Sequence, residues 1–260
     1  SQHPDTILTM GDLATTIYSR GRLEEAEKIQ RQVLELRTEI LGPRDPDTIV
    51  AMSSLASTLR YCGQPEEAEK IQRQVLELRT EILGPRDSDT IHAMSSLAST
   101  LRYRGQPEEA EKIQRQVLKL QVEILGSRHL DTILTMNSLA LTLSDSAQLD
   151  KAESIQREVL ELYKEILGPH HSHTIVAMKN LASTLRKCGE LREAKDLAQE
   201  AATKHRSLPR QMYTPVFCVL YSPDMHNLAG ICFIVGLVGD EHGPLQVNRV
   251  ARVATNTTSQ

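Results

Sequence analysis

Three histidines stand within four residues at His170-His171-Ser172-His173, and imidazoles so spaced can ligate a divalent transition metal. Elsewhere the same stretch reads Arg44-Asp45-Pro46 and Arg86-Asp87-Ser88, so it is a connecting segment, and no metal or other cofactor is expected. The adjacent carboxylates Glu66-Glu67 and Glu108-Glu109 resemble a catalytic acid–base pair. Each pair falls at a helix start, where the backbone dipole stabilises negative charge, and this structural role is the expected one. Asp240-Glu241-His242 reads as an exposed charged turn. There is no Gly-x-x-x-x-Gly-Lys-Ser/Thr, no His-Glu-x-x-His and no Gly-x-Ser-x-Gly. No catalytic residue is assigned, and the chain is expected not to be an enzyme.

One other set of residues has chemical promise. Arg60, Arg102 and Arg186 recur in step, with Ser144 at the position between the last two. Arginine forks match carboxylates in a two-pronged geometry. Two readings stand for this ladder. The arginines receive an acidic ligand, or each pairs with a carboxylate of its own chain.

The elements that position these residues are written five times. Asp5, Asp47, Asp89 and Asp131 each open Asp-Thr-Ile, and His173-Thr174-Ile175 opens a fifth copy, at a period of 42 residues. In the copy from 47 to 88, Ile49, Met52, Leu55, Ala56 and Leu59 form one helical stripe. Asp47 is placed to cap that helix, Gly63 to end it, and Pro65 to sit in the first turn of a second. The second stripe is Ala68, Ile71, Val75, Leu76, Leu78, Ile82 and Leu83, stopped by Gly84-Pro85. Glu66–Lys70 and Glu69–Arg73 are spaced for ion pairs along it. Alanine at 56 and 68 marks where two helix backbones cross. A hairpin of this size cannot bury its stripe alone, so the copies must stack.

The run Met52, Leu55-Ala56, Leu59, Ala68, Gln72, Val75 resembles the tetratricopeptide repeat, with Met52, Leu59 and Gln72 where that family has aromatics. The period and the Leu-Gly-Pro linker narrow the likeness to the kinesin-light-chain branch and to repeat arrays of fungal and bacterial immune-receptor-type proteins. It covers residues 3 to about 208. It implies an all-α fold, an α-solenoid of five helical hairpins in a right-handed superhelix, with repeats near 5–46, 47–88, 89–130, 131–172 and 173–209. It also implies that the first helix of each hairpin lines a concave face that receives a protein or peptide. The residues placed there are Val50, Ser53, Ser57 and Arg60, then His92, Ser95, Ser99 and Arg102, then Asn137, then Lys179 and Arg186. Tyr61 and Tyr103 either join that surface or pack between hairpins. Small serines leave room for an inserted peptide, and the branch's taste for acidic peptides fits the arginines. The other expectation is an architectural or self-associating array.

Net charge is −4 with 25% charged residues, which gives no basic stripe for nucleic acid. The longest apolar run, Leu228–Val238, is too short to span a bilayer, and no signal peptide is visible. Cys62, Cys188, Cys218 and Cys232 form no Cys-x-x-Cys and read as free thiols, which suits a cytoplasmic protein. A chain that begins at Ser1 without methionine is expected to be a fragment or a processed piece. Residues 1–209 are read as the solenoid. Residues 210–260 are read as an irregular, poorly ordered tail, the other reading being a cap over the last hairpin.

Overall fold

In a computed structural model, the structure describes residues 3–206. The tail reading, Cys218, Cys232 and Asp240-Glu241-His242 all lie outside these residues. Ten helices follow one another: α1 Pro4–Ser19, α2 Leu23–Leu41, α3 Pro46–Tyr61, α4 Pro65–Leu83, α5 Ser88–Tyr103, α6 Pro107–Leu125, α7 Leu130–Asp145, α8 Leu149–Leu167, α9 Ser172–Cys188 and α10 Leu191–Arg206. Each packs on the next in the chain. The first helices α3, α5, α7 and α9 also touch in succession, which puts them on the inner, shorter side of the stack. This is the helical solenoid that the repeat pattern dictates.

The helix caps correct the sequence reading by two residues. The cap of α3 is Asp45, whose carboxylate accepts from the Asp47 amide at 2.9 Å, and Asp47 lies in the first turn. Asp87 does the same for α5 at 2.8 Å. Histidine takes the position in the other hairpins. His3, His129 and His171 each accept a backbone N–H on Nδ1, at 3.3, 3.2 and 3.2 Å. Both side chains present an acceptor two residues ahead of an orphan amide, which is what the cap requires. Pro65 does occupy the first turn of α4, and Gly84, at φ 88°, closes that helix.

Between hairpins, a leucine from each second helix wedges against the next first helix. Leu34 packs with Leu55 and Leu59, Leu76 with Leu97 and Leu101, and Leu118 with Leu139 and Leu143. Ala56, Ala68, Ala98, Ala110, Ala140 and Ala152 are completely buried, so backbones do cross there. Val75 is buried and Ile71 only half so. The position that carries an aromatic in the resembled repeat holds buried glutamine here, at Gln72, Gln114 and Gln156.

An outer ladder of charges clamps the second helices. Arg31 bonds both oxygens of Glu67, at 2.7 and 2.8 Å, Arg73 reaches Glu109 at 2.9 Å, and Arg157 reaches Glu193 at 2.6 Å. The linker arginines add Arg44–Glu81, Arg86–Glu123 and Arg128–Glu165. Glu69–Arg73 forms as its spacing predicts, while Glu66 turns to Arg104 of the next hairpin.

Candidate functional site

The inner row is built where consecutive first helices touch. Side chains 43 residues apart meet across two of these junctions: Arg102 with Asp145 between α5 and α7, and Asn137 with Asn180 and Ser144 with Lys187 between α7 and α9. Tyr18 and Tyr61 hold the same relation, with ring centres 6.4 Å apart. Asp145 and Asn180 were not among the residues expected to matter, and the only sequence signal for them is one period plus one residue. That spacing marks partners on two parallel helices, offset by a single position.

The ladder of arginines is therefore not uniform. Arg60 is 4% exposed, its guanidinium lies 4.8 Å from the Tyr61 ring centre, and it donates to the Tyr61 hydroxyl at 3.2 Å. The faces of aromatic rings attract such a cation. Arg102 donates to Asp145 at 2.9 Å and stays partly exposed. The place of a fourth arginine is taken by Ser144, onto whose hydroxyl Lys187 donates at 2.9 Å. Arg186 and Lys179 are exposed. Burial and the neighbouring Tyr61 push the Tyr18 phenol well above its usual range.

The small residues of the row are half-buried. Ser53, Ser57, Ser95 and Ser99 each donate to a carbonyl one turn back, at 2.9–3.1 Å. Their hydroxyl oxygens keep lone pairs able to accept from a ligand N–H. Val50 is 40% exposed at the front of the row, and His92 is buried. All eleven residues singled out from the sequence thus lie on α3, α5, α7 or α9, and they differ widely in exposure.

His171 and His173 stack with ring centres 5.2 Å apart, and Tyr163 stacks on His173 at 5.6 Å. Burial lowers the pKa of His171, and burial with the nearby His171 lowers that of His173. Since His171 Nδ1 is engaged as a helix cap, the cluster works as a connector. No group of three or more metal-ligating side chains occurs among the described residues. Cys62 and Cys188 are free thiols, and burial, then Glu27, pushes Cys62 up to about 11. No described helix is long and apolar enough to cross a membrane.

A family model described as tetratricopeptide repeat matches residues 5–81, 50–121, 89–165 and 131–206. Among solved structures, a kinesin-light-chain-like protein of Podosopora anserina with nearly identical TPR-like repeats superposes with a TM-score of 0.67 at 22% identity. That match covers 81% of this chain and all of the other. BtubC (BKLC) from P. vanneervenii gives 0.63 at 18% identity, covering 80% and 85% of the two chains. PlcR of Bacillus thuringiensis, solved with the peptide PapR7 and DNA, gives 0.58 at 14% identity, covering 77% and 69%. At these identities the likeness is one of fold. No curated protein matches.

Proposed function

The chain belongs to the tetratricopeptide repeat family, and from that premise we propose that it is a non-catalytic scaffold whose first helices receive a protein or peptide segment. The observation that carries this reading is the inner row itself. It runs across four hairpins, is held by side-chain pairs between α5, α7 and α9, and presents half-buried serines on α3 and α5 and the exposed cations Lys179 and Arg186 on α9. A preformed surface of this kind binds without ordering its own backbone. The cations favour an acidic segment. Exposure divides their roles: Arg60 braces the tyrosine pair, while Arg102, Lys179 and Arg186 can meet a ligand. The free thiols suit a reducing, cytoplasmic setting.

The test is anisotropy of a labelled acidic peptide. Lys179→Glu with Arg186→Glu should weaken binding roughly tenfold or more, since a charged hydrogen bond contributes ~1.5–3 kcal/mol. Circular dichroism should stay unchanged and the salt dependence should diminish. Equal affinity for parent and variant removes the inner row from binding.

A further inference from the structure

The outer charge ladder loses one second-helix rung at one junction, where Arg128–Glu165 remains. Position by position, Lys119 stands where other hairpins have Glu35, Glu77 and Glu161. Lys151 stands where they have Glu25, Glu67, Glu109 and Glu193. At three junctions a second-helix arginine grips the following glutamate, at 2.7, 2.9 and 2.6 Å. At the junction of α6 with α8, Arg115 keeps only Glu111 of its own helix, and Lys151 turns to donate to Gln148 at 2.7 Å. Lys112, Arg115 and Lys119 share one face of α6, over about 10 Å of helix. With Lys151 they form four exposed cations. The corresponding set around Arg31 is Lys28, Arg31, Glu35 and Glu67, two cations and two carboxylates, and the set around Arg73 repeats that balance.

The two reversals weaken the array. Arg115 and Lys119 are like charges one turn apart, an unfavourable spacing on a helix, and the arginine–glutamate clamp between the second helices is gone, leaving Arg128–Glu165 and Gln148–Glu111 to span the junction. Repeats that are otherwise close copies give up this stability at one place only, on one face. We infer that this face, spanning α6 and α8 and separate from the inner row, is a second docking surface for a short acidic peptide segment. The flanking carboxylates Glu111, Asp150 and Glu158 select the class. They repel a long polyanion or a charged membrane plane, whereas a segment with two or three carboxylates can meet the cations alone. One such carboxylate between Arg115 and Lys151 would take the place of the glutamate present at the other junctions.

The experiment uses the full chain and a fluorescein-labelled octapeptide alternating Glu and Ser, read by anisotropy. Carbodiimide coupling of peptide carboxylates to lysine amines, mapped by mass spectrometry, locates the contact. Adducts should form on Lys112, Lys119 and Lys151 as a group separate from those at Lys179 on the inner row. Lys119→Glu with Lys151→Glu, which restores the charges of the sibling hairpins, should weaken this contact at least tenfold while the melting temperature holds or rises. Lys179→Glu with Arg186→Glu should leave these adducts unchanged, which keeps this surface distinct from the inner row. Adducts confined to Lys179 and Lys187, or spread evenly over all lysines, overturn the proposal. Single-stranded DNA or anionic vesicles that displace the peptide and bind more tightly overturn the choice of an acidic peptide.

Discussion

At the scale of single residues, the close similarity of the copies turns each deviation into an internal experiment. Gly21, Gly63, Gly105 and Gly189 hold φ between 73 and 90° at the turn between paired helices, and Ala147 is forced to 60° at the same place. A left-handed L-residue is unfavourable by ~1–2 kcal/mol, and glycine returns part of that through unfolded-state freedom. Ala147→Gly should therefore stabilise the protein by about 0.5–1 kcal/mol, seen as a higher melting temperature; a lower one would show that the alanine is not strained. Gln156 makes the opposite case. It is 1% exposed and neither amide atom has a hydrogen-bond partner. Gln156→Leu keeps the volume and removes the polar burden, so chemical denaturation should show a gain of roughly 1–3 kcal/mol. A loss would mean that the amide is satisfied in solution. The sequence reading noted the glutamine in place of an aromatic at the equivalent Gln72, but not the alanine in place of a turn glycine at Ala147. It did not mark Asp145 or Asn180, because contacts 43 residues apart depend on the offset between neighbouring helices, which no single repeat contains.

At the scale of an element, the helix starts explain why the histidines cluster. A carboxylate or a neutral imidazole nitrogen can accept the first free amide, so Asp45, Asp87, His129 and His171 are chemical equivalents. The sequence showed where each helix begins but favoured Asp47 over Asp45, since both acids precede the apolar stripe. Only the backbone turn at Pro46 decides between them. The substitution has a consequence for α9. His171 and His173 titrate below the ordinary histidine value of 6.5, His171 through burial and His173 through burial and its neighbour. Below about pH 6.5 the unfolded chain thus binds more protons than the folded one, and stability must fall with pH through that value. His171→Asp restores the cap of α3 and α5, removes one such group and favours the charged form of His173. The melting temperature of this variant should drop less between pH 7.5 and 5.5 than that of the parent. An equal drop would exclude the pair as the source of the acid sensitivity.

At the scale of the whole molecule, a solenoid has no central core, and what a residue contributes depends on which neighbours its hairpin has. The five-fold stripe of leucine and alanine made the architecture legible, since any chain with that period must stack its hairpins to bury it. It could not show which copies are shielded on both sides, because Leu13 and Leu97 are written identically. In the structure Leu97 is 1% exposed, wedged by Leu76 of the preceding hairpin, and Leu13 is half-exposed, with no such wedge among the described residues. Leu97→Ala should destabilise by ~2–5 kcal/mol through lost burial and the cavity left behind. Leu13→Ala removes a side chain that already meets water, and about 1 kcal/mol or less is expected. The two substitutions also differ in what unfolds. Each hairpin is coupled only to its neighbours, so amide exchange in Leu13→Ala should quicken in α1 and α2 alone. In Leu97→Ala it should quicken on both sides of the α4–α5 junction. Equal losses for the two variants would mean that α1 is covered in solution as fully as α5.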